Sequence, residues 1–108
     1  MTANGIHKAV ATRAEVIETL RNKTEAIRAL GATELYLFGS AARDELRADS
    51  DVDLFIDYDV ARPPTLFDLA GLEIMLSNLL GRSVEVSTRR SLHPRLRATI
   101  EAESVRVA

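Results

Sequence analysis

Tyr36-Leu-Phe-Gly-Ser-Ala-Ala-Arg-Asp-Glu-Leu-Arg-Ala-Asp-Ser-Asp-Val-Asp-Leu-Phe-Ile-Asp57 is the stretch from which the fold can be read. Its first three residues end a buried strand, and Gly39-Ser40 opens a short helix. A second strand follows, headed by the carboxylates Asp51 and Asp53. Glycine lets the backbone turn sharply and approach a ligand closely. Ser40 suits an N-cap, with free N–H groups behind it that can cradle phosphate. Asp51 and Asp53 lie two apart on a strand, so they share one face while Val52 points into the core. Two hard oxygen ligands thus stand beside a phosphate-binding turn.

Toward the N-terminus, Thr12-Arg-Ala-Glu15 is a capping box, and the periodicity predicts a helix to about Leu30. Val16, Ile17, Leu20, Thr24 and Ile27 form its stripe, and Gly31 ends it. Glu34 to Phe38 is the first strand, apolar from Leu35 as for a strand covered on both faces. Toward the C-terminus, Ala41 to Leu46 predicts one or two helical turns, and Asp51 to Tyr58 the second strand. Pro63-Pro64 marks a loop. Thr65 caps a long helix running to Leu80 before Gly81. Leu69, Leu72, Leu76, Leu79 and Leu80 share its inner stripe. Phe67 and Ile74 fall almost opposite, so that side is either a partner face or lies under the first or last helix.

The third strand is expected over Ser83 to Ser87, with Val84 and Val86 on one face and Glu85 on the other. A final helix from Leu92 to about Ala102 carries Leu92, Leu96 and Ile100, and Val105 and Val107 hint at a terminal strand. The glycine turn closes strand one and Asp51 opens strand two, so the two run antiparallel if they form one site. Glu85 sits early in strand three, as Asp53 does in strand two, so those two run parallel through a helical crossover. The class is α+β (α/β), a small mixed sheet flanked by helices in the order α-β-α-β-α-β-α. Residues 1–11 read as a flexible N-terminus and 12–108 as a single domain.

A chain of 108 residues is long enough for one core and too short for two. The formal charge of −2 gives no general pull toward nucleic acid or anionic membrane, so neither is an expected partner. The distribution says more. Seven acids (Asp44, Glu45, Asp49, Asp51, Asp53, Asp57, Asp59) against Arg47 make one segment −6, and five arginines (82, 89, 90, 95, 97) against Glu85 make another +4. Such a pair of segments suits a metal–nucleotide complex, although most of these charges also read as simply solvated. The chain has no cysteine, which excludes disulfides and zinc–thiolate sites. Any metal is then a hard cation on oxygen, magnesium or manganese. No signal-peptide pattern or membrane-length apolar run is present, so a cytoplasmic location is expected.

Gly39-Ser40, ten residues, then Asp51-x-Asp53 resembles the signature of the nucleotidyltransferase superfamily that includes DNA polymerase β. Leu37-Phe-Gly-Ser-Ala-Ala-Arg43, Ser50-Asp-Val-Asp-Leu54, Pro64-Thr-Leu-Phe-Asp-Leu69 and Leu80-Gly-Arg-Ser-Val-Glu-Val86 are similar, more narrowly, to the minimal nucleotidyltransferases (MNT). The resemblance implies a polymerase β-like fold and an antitoxin that transfers AMP from ATP to a tyrosine of a HEPN-type RNase toxin. It makes Asp51, Asp53 and Glu85 the catalytic carboxylates and metal ligands, and Gly39, Ser40 and Arg43 the nucleotide-binding residues. Glu85 departs from the family's usual aspartate by one methylene. Other readings stand beside these: Glu85 as a surface acid, Arg43 as a salt bridge to Asp44 or Glu45, Ser40 as a cap alone. Asp57 and Asp59 read as loop acids, His7 and His93 as surface residues. Arg89 and Arg90 read as solvated, though near enough to strand three to reach phosphate. Nothing in the chain can form an acceptor domain, so another chain should supply that surface. Competing functions are a non-catalytic antitoxin that masks its toxin stoichiometrically, and a small-molecule nucleotidyltransferase completed by self-association.

Overall fold

Side-chain alternation along four strands separates the two faces of the sheet in the computed structural model, which describes residues 9–108. The strands are β1 (Glu34–Phe38), β2 (Val52–Asp57), β3 (Val84–Thr88) and β4 (Val105–Arg106), in the spatial order β3-β2-β1-β4. Leu35, Leu37, Val52, Leu54, Ile56, Val84 and Val86 belong to one buried cluster with the helices. Their partners there are Val16 and Leu20 of α1 (Arg13–Arg21), Ile27 of α2 (Thr24–Ala29) and Leu72, Leu76 and Leu80 of α4 (Leu66–Leu80). The opposite face carries Tyr36, Phe38, Asp53, Phe55 and Asp57. The Tyr36 and Phe55 rings stack there at 4.7 Å, beneath the Arg89 guanidinium. β1 is thus covered on both faces, on this side by Arg89 and by the last helix (Arg97–Glu103) lying close by.

β1 pairs antiparallel with β2, setting Phe38 opposite Asp53, and β2 pairs parallel with β3, setting Asp53 opposite Glu85. Both directions are those that the motif positions require. α4 makes the crossover between β2 and β3, with the Thr65–Asp68 capping box at its start and Gly81 in the left-handed region at its end. β4 pairs antiparallel with β1, so the terminal valines do extend the sheet.

Helix boundaries differ from the sequence reading in three places. The helix expected from residue 12 to 30 keeps its Thr12–Glu15 capping box but divides after Arg21. The Thr24 hydroxyl donates to the Arg21 carbonyl at 2.8 Å, the local competition that a threonine offers the backbone. The short helix α3 is Gly39–Ala42, two residues earlier than expected, and it stops because Asp44 adopts φ 59°. Phe38 holds the N-cap position, so Ser40 is a helical residue and not the cap. The last helix, α5, is only Arg97–Glu103. Thr88 and Ser91 cap each other across a 3-10 turn (Arg89–Ser91), and Pro94 has no N–H to donate. Leu92 is therefore buried while Leu96 is 54% exposed, and the expected apolar stripe does not form.

Of the segment expected to be flexible, residues 1–8 lie outside the described residues. Val10 is docked: it is buried, and its N–H donates to the Leu80 carbonyl at 3.0 Å. Among the described residues no helix is long and apolar enough to cross a membrane.

Candidate active site

β1 delivers the chain to Gly39, which turns with φ 69°. A Cβ built at Gly39 would lie 2.7 Å from Asp53 Oδ2. The backbone conformation, which L side chains rarely adopt, calls for glycine, and any Cβ here would also displace the Asp53 carboxylate. Val52 is fully buried, and Asp53 beside it points to the opposite face. Asp51 precedes β2 and is exposed, and Glu85, opposite Asp53 on β3, is exposed too. The turn, Asp53 and Glu85 therefore meet at one end of the sheet, with Asp51 next to them.

The Asp53 carboxyl is held above its ordinary pKa, first by burial and then by the negative charges of Glu85 and Asp51, while Arg43 pulls the other way. Among the described residues, however, no group of three or more His, Cys, Asp or Glu stands close enough together to hold a metal ion. Asp53 feels the charge of the other two, yet the three do not form a closed cage. Their chemistry fits a hard divalent cation: all the donors are oxygen, and the half-buried Asp53 has charge that a cation would stabilise. Asp51 and Glu85 must turn inward to share an ion with Asp53.

At the turn, Arg43 stands beside Gly39 as expected but is already engaged. Its Nε donates to Glu45 at 2.8 Å, the salt bridge of the alternative reading, and its Nη1 donates to both Glu103 oxygens at 3.3 Å. The Gly39 N–H donates to the same Glu103 carboxylate at 3.3 Å. Ser40 is half-buried, and its carbonyl accepts from the Glu45 N–H at 2.8 Å. Sequence reasoning missed Glu103, and no local pattern ties an acid near the C-terminus to a turn 64 residues earlier.

The arginine-rich segment mostly braces the fold. Arg82 donates to the carbonyls of Val10, Arg47 and Ser50, and Arg97 to those of Arg90 and Leu92. Arg89 grips Asp57 with two hydrogen bonds, at 2.8 and 2.9 Å, and also pairs with Glu101. Neither Arg89 nor Asp57 is the solvated residue expected, and Asp57 is a strand residue rather than a loop acid. Asp59 lies in the loop and accepts from the Ala61 N–H. His93 is exposed, as expected, and His7 lies outside the described residues. A concavity of about 470 Å³ among Arg28, Gly31, Ala32, Thr33, Asp59 and Arg62 lies beyond the other end of β2 and includes none of the site residues.

Known proteins align with this arrangement along most of the chain. The family profile described as "nucleotidyltransferase domain" matches residues 17–107. The protein adenylyltransferase MntA of Thermococcus cleftensis is 35% identical over 95 residues, covering 86% of this chain and 94% of that one. A solved structure described, provisionally, as a minimal nucleotidyltransferase superposes with TM-score 0.67 at 38% identity, covering 94% and 98% of the two chains. A chain from a toxin–antitoxin crystal structure with AMP-PNP shares the fold, with TM-score 0.66 at 21% identity over 82% of this chain and 72% of that one. Residues 17–107 and the identity to near full-length relatives make this chain a member of the nucleotidyltransferase family of enzymes, in its minimal nucleotidyltransferase group.

Proposed function

We propose that the protein transfers AMP from ATP to a tyrosine hydroxyl of a HEPN-type RNase toxin, and so acts as the antitoxin of that toxin. One observation supports this above others: the Gly39 turn packs directly on Asp53, with Glu85 opposite on the next strand. The relative named a protein adenylyltransferase supports a protein acceptor, and the fold shared with a chain of a toxin–antitoxin complex suggests which protein.

Gly39, Ser40 and Arg43 bind the β- and γ-phosphates, and Arg43 sets fixed positive charge near the oxygens where negative charge accumulates. Asp51, Asp53 and Glu85 hold magnesium or manganese, which when bound neutralises charge on the phosphate oxygens. Glu85 takes the phenolic proton as the tyrosine oxygen attacks the α-phosphorus. The bond from that phosphorus to the bridging oxygen breaks, AMP stays on the tyrosine, and pyrophosphate leaves with the electron pair. A neutral phenol is a weak nucleophile, so transfer should accelerate as pH rises. Residues 12–108 work as one catalytic domain in the cytoplasm, and the toxin supplies the acceptor surface.

The test incubates the toxin with this protein, ATP and Mg²⁺, followed by intact-mass and peptide mass spectrometry. An adenylylated tyrosine is expected with wild type and none with Asp53→Ala. If the toxin stays unmodified yet is inhibited one-to-one by both proteins, the enzyme reading fails and the protein masks its toxin by binding.

A further inference from the structure

Two of the three residues assigned to the triphosphate, Gly39 and Arg43, already donate to a side chain of this protein. The Glu103 carboxylate accepts from the Gly39 N–H at 3.3 Å and from Arg43 Nη1 through both oxygens, each at 3.3 Å. An ionised carboxylate presents the same acceptor oxygens and the same sign of charge as a phosphate. We propose that Glu103 is a displaceable stand-in for nucleotide phosphate, holding the Gly39–Arg43 donors until ATP takes them and so setting the affinity for ATP. The inference rests on the nucleotide-site reading given above.

Three features support displacement over permanent bracing. All three contacts lie at the long end of the hydrogen-bond range, and the Glu103 side chain keeps 29% of its exposure, so solvent competes with them. Arg43 has a second and shorter contact, to Glu45 at 2.8 Å, which keeps the guanidinium at the turn when Glu103 leaves. α5 does not depend on Glu103 for its place either. Glu101, two residues earlier, pairs with Arg89, and Arg89 is itself locked to Asp57 on β2. Release therefore needs only a side-chain rotation about a helix that stays put. A carboxylate whose task was to orient Arg43 would have the opposite effect on nucleotide binding, and this makes the sign of the mutant effect decisive.

Titration calorimetry of the full chain with ATP and Mg²⁺ reads that sign. Glu103→Gln and Glu103→Ala are both expected to lower the Kd by about three- to tenfold, because one anion competing with the triphosphate is gone. Glu101→Gln removes an equal charge from the same helix and is expected to stay within about twofold of wild type. A Kd for Glu103→Gln that is unchanged or raised overturns the inference, as does an equal gain from Glu101→Gln. Asp53→Ala separates this result from the site reading. If that variant binds ATP as wild type does, the nucleotide site is elsewhere and both readings fall. If it binds weakly while Glu103→Gln shows no gain, only the role of Glu103 falls. Amide NMR gives a readout on wild type alone: ATP should shift the Gly39 resonance, and a resonance that does not move counts against the displacement.

Discussion

The Asp53 carboxyl is where the electrostatics of the candidate site are recorded. It is partly buried between two other carboxylates, and its pKa lies above the ordinary range, by burial first and by Glu85 and Asp51 next. A carboxyl raised in this way binds its proton more readily in the folded chain than in the unfolded one. Its contribution to stability is fully present below the unfolded pKa and is lost as pH rises through the folded pKa. Metal-free Asp53→Asn should therefore melt at a higher temperature than wild type near neutral pH, with the gap closing below the ordinary carboxylate range. Thermal melts with a chelator, from neutral to acid pH, check this; a variant less stable than wild type at neutral pH would contradict it. At this scale the sequence was informative wherever the constraint is local. Gly39 is called for by its own φ and lies against the Asp53 carboxylate fourteen residues on, and the spacing of the motif encodes both. Glu103 was illegible because its contact with Gly39 is created by the path of the whole chain, and a glutamate in the last helix looks like any solvated acid.

Elements were legible where capping chemistry and periodicity agree. α4 has both, with its capping box and its terminal glycine, and its bounds are those expected. α5 had a four-residue periodicity that Pro94 and the Thr88–Ser91 turn override, so the apolar spacing misled. The two sides of α4 also resolve a choice left open by its sequence. Phe67 is 89% exposed and Ile74 65% exposed, so among the described residues neither terminal helix covers them. Phe67→Glu should thus leave stability within about 0.5 kcal/mol of wild type, as for a surface site. Under the proposed function it should also abolish co-purification with the toxin. Collapse of the isolated domain would instead mark Phe67 as core. On the opposite face of the sheet, Arg89 joins β2, the 3-10 turn and α5, with two aromatic rings each 4.9 Å beneath its guanidinium. Losing both ion pairs and that stacking in Arg89→Ala should cost about 1–3 kcal/mol in urea unfolding, discounted for a side chain one-third exposed. Arg89→Lys should recover only part, since an ammonium cannot grip Asp57 with two parallel bonds. Stability equal to wild type in Arg89→Ala would show that the network is ornamental.

For the whole molecule, strand directions and sheet faces followed from one requirement, that Gly39 and Asp53 meet. The uneven charge along the chain was a weaker guide, because arginines 82, 89 and 97 are engaged by the protein's own carbonyls and carboxylates. The sheet also has an order with a consequence of its own. β4 is only two residues long, yet beside it the Leu35 carbonyl accepts from Val107 at 2.8 Å, and the Leu35 N–H donates to Ala108 at 3.2 Å. These residues lie along β1, the strand that leads into the glycine turn. Removing residues 105–108 would leave β1 with a row of unpaired backbone groups, a template onto which a second molecule can add its own strand. Such a truncated protein should self-associate with rising concentration, read by light scattering, while one that stays monomeric would show that these residues are dispensable as a guard. On this view residues 105–108 guard an otherwise open sheet edge against unwanted partners as much as they complete the fold.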